Sequence, residues 1–504
     1  MVNKTSSTGL YRKYKASLQK IADIKYAAAV LQWDQETYMP VKSAQTRARQ
    51  IATLAEMAHS LFTAGETGKL IEALYDRDDL KDDEKNNIEL SLYDYKKAKK
   101  LPSLFVRQLS EITSQSYQSW IEARKANSFD LFEKDLDLMI ELKRQEATLL
   151  GYEGHPYNAL LNEYERGSTV AFLDKTFDSL RQPLRGLLDK IYHRPKVDDT
   201  FLHQYFDPKE QWDFGMELIK QLGFDFEAGR QDVSEHPFTT NFSSNDVRLT
   251  TRIDKNNLGN MTWSCIHEAG HGLYEQGLPE KEYGLPLGEY ASLSIHESQS
   301  RLWENNVGRS EDFWQHHTAS LKKWFPVQFQ HLPTRDFYKG INKVQPTLIR
   351  TEADELTYHF HIIIRYELEK LLLEGLLKAK DIPAYWNEQY QNYLGIKVMD
   401  DKHGCLQDVH WSHGSFGYFP TYSLGSLYAA QFFNAAKKQI PLLEQEIKSG
   451  NTSSLLKWLR TNIHCHGRKF SATQLCEHIT GEALDIRYFL DYAGKKYSDI
   501  YKFD

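Results

Sequence analysis

Three observations predict a mainly α-helical protein, organised as one large unit with a small antiparallel β-sheet beside one buried helix. Helix breakers are sparse, with 15 prolines and 28 glycines among 504 residues, so few points interrupt a helix. Apolar and charged residues recur at helical spacing over long segments. One stretch, His236 to Asp254, changes to a period of two.

Taken in order, the helical pattern runs over Leu10 to Val30, Lys81 to Lys100 and Leu131 to Leu150. In the differing stretch, Val247, Leu249, Thr251 and Ile253 alternate with Arg248, Thr250, Arg252 and Asp254. Turn-forming Ser243, Ser244, Asn245 and Asp246 come just before them, so a short hairpin is expected. A helix follows directly and ends at Gly277. Glu355 to Leu377 (ELTYHFHIIIRYELEKLLLEGLL) is strongly apolar and predicts a central helix. From Pro383 onward helices return, with aromatic-rich interruptions. There is no internal repeat and no Pro/Ser-rich, low-complexity or single-charge linker. Residues 1–504 are therefore read as a single domain, although length alone suggests about three.

Apolar residues make up 41% of the chain and aromatics 13%, enough for a large core. The net charge is -7, with no basic stripe, which argues against a nucleic-acid partner. The four cysteines, Cys265, Cys405, Cys465 and Cys476, form no C-x-x-C pair and no disulfide framework. They suit a reducing compartment. The N-terminus lacks the apolar core of a signal peptide, and no run approaches the roughly 18 apolar residues of a membrane span. A cytoplasmic protein with no membrane partner is the expectation.

The chemistry is concentrated in His267-Glu268-Ala269-Gly270-His271. Histidines at i and i+4 lie on one helix face, one turn apart, and both can reach one metal ion. Glu268, on the flank of that face, is placed to take a proton from an activated water. The apolar neighbours Trp263, Ile266 and Leu273 predict burial, and buried imidazoles need partners, which a metal supplies. A catalytic site of this kind needs a third protein ligand and an open fourth position. Position 277 is glycine and no histidine follows nearby, so a carboxylate on a later helix is expected. Glu297 fits, lying in a serine-rich stretch suited to close helix packing; Glu289, Glu304 and His296 are its rivals.

Other candidates have plainer readings. His464 and His466 lack further ligands at metal spacing. His359 and His361, two apart on a helix, point in different directions. His316 and His317 read as a helix surface. Cys265 reads as a packed thiol.

Several short strings occur together and in a recognisable order. They are Leu31 to Pro40 (LQWDQETYMP), His236-Pro237-Phe238 and the D-x-R-x-T of Asp246 to Thr250. After the H-E-x-x-H come His296-Glu297-Ser298-Gln299, Ile349 to Asp354 (IRTEAD) and Gly404 to Trp411 (GCLQDVHW). In these motifs the chain resembles the carboxypeptidase Taq family of metallocarboxypeptidases over nearly its whole length. The resemblance implies a helical metallopeptidase with a central cleft. It makes Glu297 the third ligand, beside His267 and His271, of one divalent metal ion: Zn²⁺, with Co²⁺ or Mn²⁺ as possible substitutes.

It also implies release of single amino acids from the C-terminus of peptides, with Glu268 as general base and then proton donor. His410, Tyr422 and Tyr418 lie in a segment that the resemblance places over the metal. His410 and Tyr422 are the candidate donors to the oxyanion, with Tyr418 beside the substrate. Arg350 and Arg248 are the candidates for gripping the substrate carboxylate, since a guanidinium can bind one bidentately; their plainer readings are an internal ion pair and a solvated face. A homodimer is expected on the resemblance alone. The rival readings are an oligopeptidase that cuts internal bonds of short peptides and a non-enzymatic helical binding protein.

Overall fold

The computed structural model describes residues 7–503. Helices dominate, and the segments predicted to be helical are Ser7–Thr37, Asp82–Lys99 and Asp130–Leu150. Asp82–Lys99 shows why such segments hold: Asp82, Asp83 and Glu84 occupy its first turn and Lys96, Lys97 and Lys99 its last. Each charge opposes the partial charge of the helix terminus beside it. No helix among the described residues is long and apolar enough to cross a membrane.

The apolar segment forms Tyr358–Glu374, buried on nearly every side by Phe360, Ile362, Ile363, Ile364, Leu368 and Leu372. His359, His361 and Glu369 are buried too, and each has a partner. His359 meets Ser423 Oγ at 3.0 Å, His361 meets Tyr390 Oη at 3.0 Å, and Glu369 accepts from Trp411 Nε1 at 2.8 Å. The aromatic-rich interruption after Pro383 is the loop between helices Ile382–Leu394 and Phe419–Gln439, and it buries Leu406, Trp411 and Phe416 in the main core.

The main core runs through most of the molecule. A second, smaller core lies under the N-terminal helices. It is built from Tyr14, Leu18, Ile21, Ile71, Leu74, Ile88 and Leu92, with Leu285 reaching in from the body.

The expected hairpin is present as β2 (Thr239–Ser243) antiparallel to β3 (Asp246–Thr251). The sheet has one strand more than the alternation predicts. β1 (Gly229–Val233) pairs in parallel with the other side of β3, giving the order β1-β3-β2. The sheet is therefore mixed rather than purely antiparallel. β1 was missed because Gly229-Arg-Gln-Asp-Val233 is polar, without the hydrophobic alternation that marks a half-buried strand.

The histidine-bearing helix is Leu258–Glu275, which starts where Asn257 Oδ1 accepts from Gly259 N. It lies against the sheet on one side and against helix Leu293–Arg301 on the other. This second helix continues as a π-helical stretch, Leu302–Val307, a wider turn often found at functional sites. One expectation fails in helix Glu311–Trp324. His316 and His317 do not both face solvent: His317 is 2% exposed, its ring 3.9 Å from that of Phe313. Neighbours on a helix are about 100° apart, so a pair of like residues easily divides between core and surface.

The two helices of the site approach closely at Gly270. A Cβ there would lie 2.6 Å from Ser300 Cα and 2.7 Å from the Gln299 carbonyl oxygen. Because both atoms are backbone, the clash cannot be relieved by a rotamer. Gly270→Ala is expected to destabilise the fold by about 1–3 kcal/mol, read as a lower denaturant midpoint.

Candidate metal centre

His267 and His271 stand one turn apart on helix Leu258–Glu275, and Glu297 faces them from helix Leu293–Arg301. One ligand atom from each lies within 4.8 Å of the others. Glu297 Oε2 is 3.6 Å from His267 Nε2 and 3.4 Å from His271 Nε2. Ligands about 2.0–2.2 Å from a tetrahedral zinc stand roughly 3.3–3.5 Å apart, so the three side chains fit one such ion with little movement.

The outer hydrogen bonds point the same way. His267 Nδ1 is 2.8 Å from Glu304 Oε2, and a carboxylate acceptor there places the ring proton on Nδ1. Nε2 is left as a lone pair facing inward. His271 Nδ1 meets His296 Nδ1 at 2.6 Å, and His296 Nε2 meets Glu275 Oε1 at 2.7 Å. Glu275 accepts the proton of His296, His296 can then accept that of His271, and Nε2 of His271 is again a lone pair. Glu297 uses Oε1 to accept from Arg301 Nε at 2.7 Å, which keeps Oε2 on the ligand side.

The electrostatics keep Glu297 charged and His271 neutral. Burial alone would raise the carboxyl of Glu297, 5% exposed, but Arg301 and His267 hold it far below the usual range. Burial would lower His267, but Glu297 and Glu304 draw positive charge onto it and raise it. Burial and the neighbouring His296 push His271 down to about 3, so it is a neutral imidazole, the form that binds metal.

Glu268 is 6% exposed, and burial lifts its carboxyl above the ordinary range, as suits a general base. Thr239 Oγ1 donates to its Oε2 at 2.6 Å.

A second group lies beside the Glu297 side chain. Helix Phe419–Gln439 packs against it with no room for a side chain at Gly425, where a Cβ would meet Glu297 Cγ at 2.4 Å. Tyr422, one turn earlier, shares that face. Its hydroxyl is 3.1 Å from His410 Nε2, and its ring is 5.1 Å from that of Tyr418. Burial pushes His410 down to about 3 and the Tyr422 hydroxyl well up, so both are neutral.

Arg350, 7% exposed, is committed to an internal ion pair: its Nε donates to Asp408 Oδ1 at 3.0 Å and its Nη1 to Tyr358 Oη at 3.2 Å. Arg365 Nε holds the other oxygen of Asp408 at 2.7 Å. The Arg350 guanidinium also lies 4.8 Å from the Tyr422 ring. Arg248 belongs to the sheet: it pairs with Asp246 at 3.0 Å and lies 4.3 Å from the ring of Trp33 on the N-terminal helix.

Of the rival ligands, Glu304 and His296 instead hold the imidazoles from behind. Glu289 pairs with Arg468 at 3.1 Å. Sequence reasoning missed Arg301, Thr239, Asn241, Glu275, Tyr358, Asp408 and Arg365. Arg301 and Glu304 follow Glu297 at helical spacing of four and seven, a readable signal. Thr239 and Asn241 carried none without the strand register. Cys265 is buried among Gln231, Thr251 and Met261, with its thiol pushed up to about 11 by burial.

The family model described as carboxypeptidase Taq (M32) metallopeptidase matches residues 13–497. Carboxypeptidase 1 of Bacillus subtilis is 37% identical, covering 96% of this chain and 97% of its own. Thermostable carboxypeptidase 1 of Thermus thermophilus is 39% identical over 94% of this chain and 95% of its own. The crystal structure of an M32 carboxypeptidase from Deinococcus radiodurans superposes with a TM-score of 0.96 at 38% identity, covering 98% of this chain and 100% of that one.

An ion held between two helices stabilises the folded state. At zinc about 1,000-fold above its dissociation constant, the gain over chelator-treated protein is expected to be about 4 kcal/mol, read as a higher thermal midpoint. Gly425→Ala, which displaces Glu297, is expected to lose most of that gain.

Proposed function

Because the chain belongs to the carboxypeptidase Taq (M32) family of metallopeptidases and is thus a metal-dependent carboxypeptidase, we propose that His267, His271 and Glu297 hold one Zn²⁺ at its active site. The observation that carries this reading is the convergence of the three ligand atoms, each imidazole oriented from behind by a hydrogen bond. The donor set also admits Co²⁺ or Mn²⁺. When bound, the ion supplies Lewis acidity to the scissile carbonyl and to a water.

Glu268 takes a proton from the attacking water as its oxygen bonds to the carbonyl carbon, then passes it to the leaving nitrogen as the C–N bond breaks. Tyr422 and His410, neutral and hydrogen-bonded to each other, donate to the oxyanion. Tyr418, packed on Tyr422, lines the substrate's path. The substrate carboxylate is drawn to Arg350. Arg350 and Arg365 share the single carboxylate of Asp408, which leaves one positive charge in that wall. Arg248, already neutralised by Asp246, serves at the sheet end of the path, where β2, the outer strand of the sheet, pairs with an extended peptide backbone. The substrates are peptides with a free C-terminus. One catalytic domain over 1–504, a homodimer and a cytoplasmic location are part of the same proposal; the four cysteines, all free thiols, suit a reducing compartment.

A free-acid peptide and its C-terminal amide, incubated with the protein with and without chelator and read by mass spectrometry, test the reading. Stepwise loss of C-terminal residues from the free acid alone, abolished by chelator, is expected. Internal cuts in both peptides would identify an oligopeptidase instead. Glu268→Gln is expected to lower kcat about 10²–10⁴-fold with zinc still bound.

A further inference from the structure

Resting on the assignment of His267, His271 and Glu297 as ligands and Glu268 as base, we propose that Thr239 and Asn241, on one face of β2, are positioning residues that tie the base and a ligand imidazole to the same strand.

Residues i and i+2 of a strand share a face. From that face Thr239 Oγ1 donates to Glu268 Oε2 at 2.6 Å, and Asn241 Nδ2 donates to Glu275 Oε2 at 2.6 Å. Glu268 and Glu275 lie two turns apart on the histidine helix and so present the same side to the strand.

The second contact continues inward. Glu275 Oε1 meets His296 Nε2 at 2.7 Å, and His296 Nδ1 meets His271 Nδ1 at 2.6 Å. Each link fixes the next. Asn241 and His296 each occupy one oxygen of Glu275, a buried carboxylate. The carboxylate fixes the tautomer of His296, and His296 fixes that of His271. Loss of Asn241 leaves Oε2 of Glu275 without its donor, and the carboxylate is free to turn. Outer partners of this kind change metal affinity by about 10–100-fold.

The first contact acts on the base. The hydroxyl of Thr239 occupies Oε2 of Glu268 and leaves Oε1, which accepts no hydrogen bond among the described residues, to exchange a proton. Thr239 Oγ1 also lies 3.1 Å from the Glu268 carbonyl oxygen, so a purely structural tie between strand and helix is the competing role. The two roles differ in what they change: a structural tie affects stability, whereas a positioning contact affects kcat.

The test uses the full chain loaded with zinc. Thr239→Val is expected to lower kcat about 10- to 100-fold with KM and zinc affinity unchanged, and Thr239→Ser to restore it. Thr239→Ala replaces the valine variant if that one fails to fold. Asn241→Leu is expected to weaken zinc binding about 10-fold in chelator competition. It is also expected to shift the visible bands of the Co²⁺-loaded protein and to regain most of its kcat at saturating zinc. A Thr239 variant with normal kcat and only a lowered thermal midpoint, or Asn241→Leu with normal zinc affinity, overturns the proposal. Glu268→Gln and His271→Ala are measured alongside: full activity in the first, or undiminished zinc affinity in the second, removes the underlying assignment and the proposal with it.

Discussion

The candidate site depends on how closely two helices can approach. Glu297 reaches the two histidines because its helix lies against theirs at a separation that Gly270 allows and any side chain would prevent. Widening that gap by the width of a methyl group would move Oε2 out of the range in which one ion can hold all three ligands. The same device recurs on the far side of Glu297, where Gly425 admits the helix that carries Tyr422. Glycine costs helix stability, about 1 kcal/mol relative to alanine, and here that cost is accepted for a distance. The serines around Glu297 serve the same packing: Ser298 and Ser300 are small, and each bonds back to its own helix through Oγ.

Close packing forces charge out of water, and the second organising constraint is how that charge is balanced. Arg301 sits between Glu297 and Glu304, and Asp408 between Arg350 and Arg365. Removing one member of such a buried set leaves an uncompensated charge, which costs about 3–5 kcal/mol. These groups therefore hold one another in place before any ligand arrives. The two sets differ in sign. Around the imidazoles, carboxylates exceed arginines and favour a cation; around Asp408, arginines exceed carboxylates and favour an anion. On the proposed function, a peptide terminus would turn its carbonyl toward the first and its carboxylate toward the second.

Much of this was legible in the sequence, and what was not has physical reasons. The H-E-x-x-H spacing reports one helix face, so the histidine half of the cluster could be read from local pattern; the serines around Glu297 suggested close packing, but Glu289, Glu304 and His296 stayed its rivals until the family resemblance singled it out. The long apolar helix at Glu355 to Leu377 was legible because burial on all sides needs no polar face. β1 was not, because its residues are polar and it is held by pairing rather than by an apolar face. His317 was misread because a surface histidine and a core histidine look alike in one dimension. Asp408, Arg365 and Asn241 are ordinary residues made significant by partners far away in the chain, and only the fold brings those partners together.

The N-terminal helices gather around a small core of their own and meet the body through Leu285, through the stacked rings of Tyr26 and Tyr283, and through polar contacts such as Lys15 Nζ to the Lys281 carbonyl oxygen and Arg468 to Asp94. Opening this layer exposes the smaller core, whereas opening the body exposes the main one. The molecule therefore has two levels of local stability rather than one. On this arrangement, amide hydrogens in the N-terminal layer are expected to exchange through partial openings, and those of the histidine helix only on global unfolding. The candidate site thus belongs to the main core, and its two helices would keep their spacing through an opening of the layer beside them.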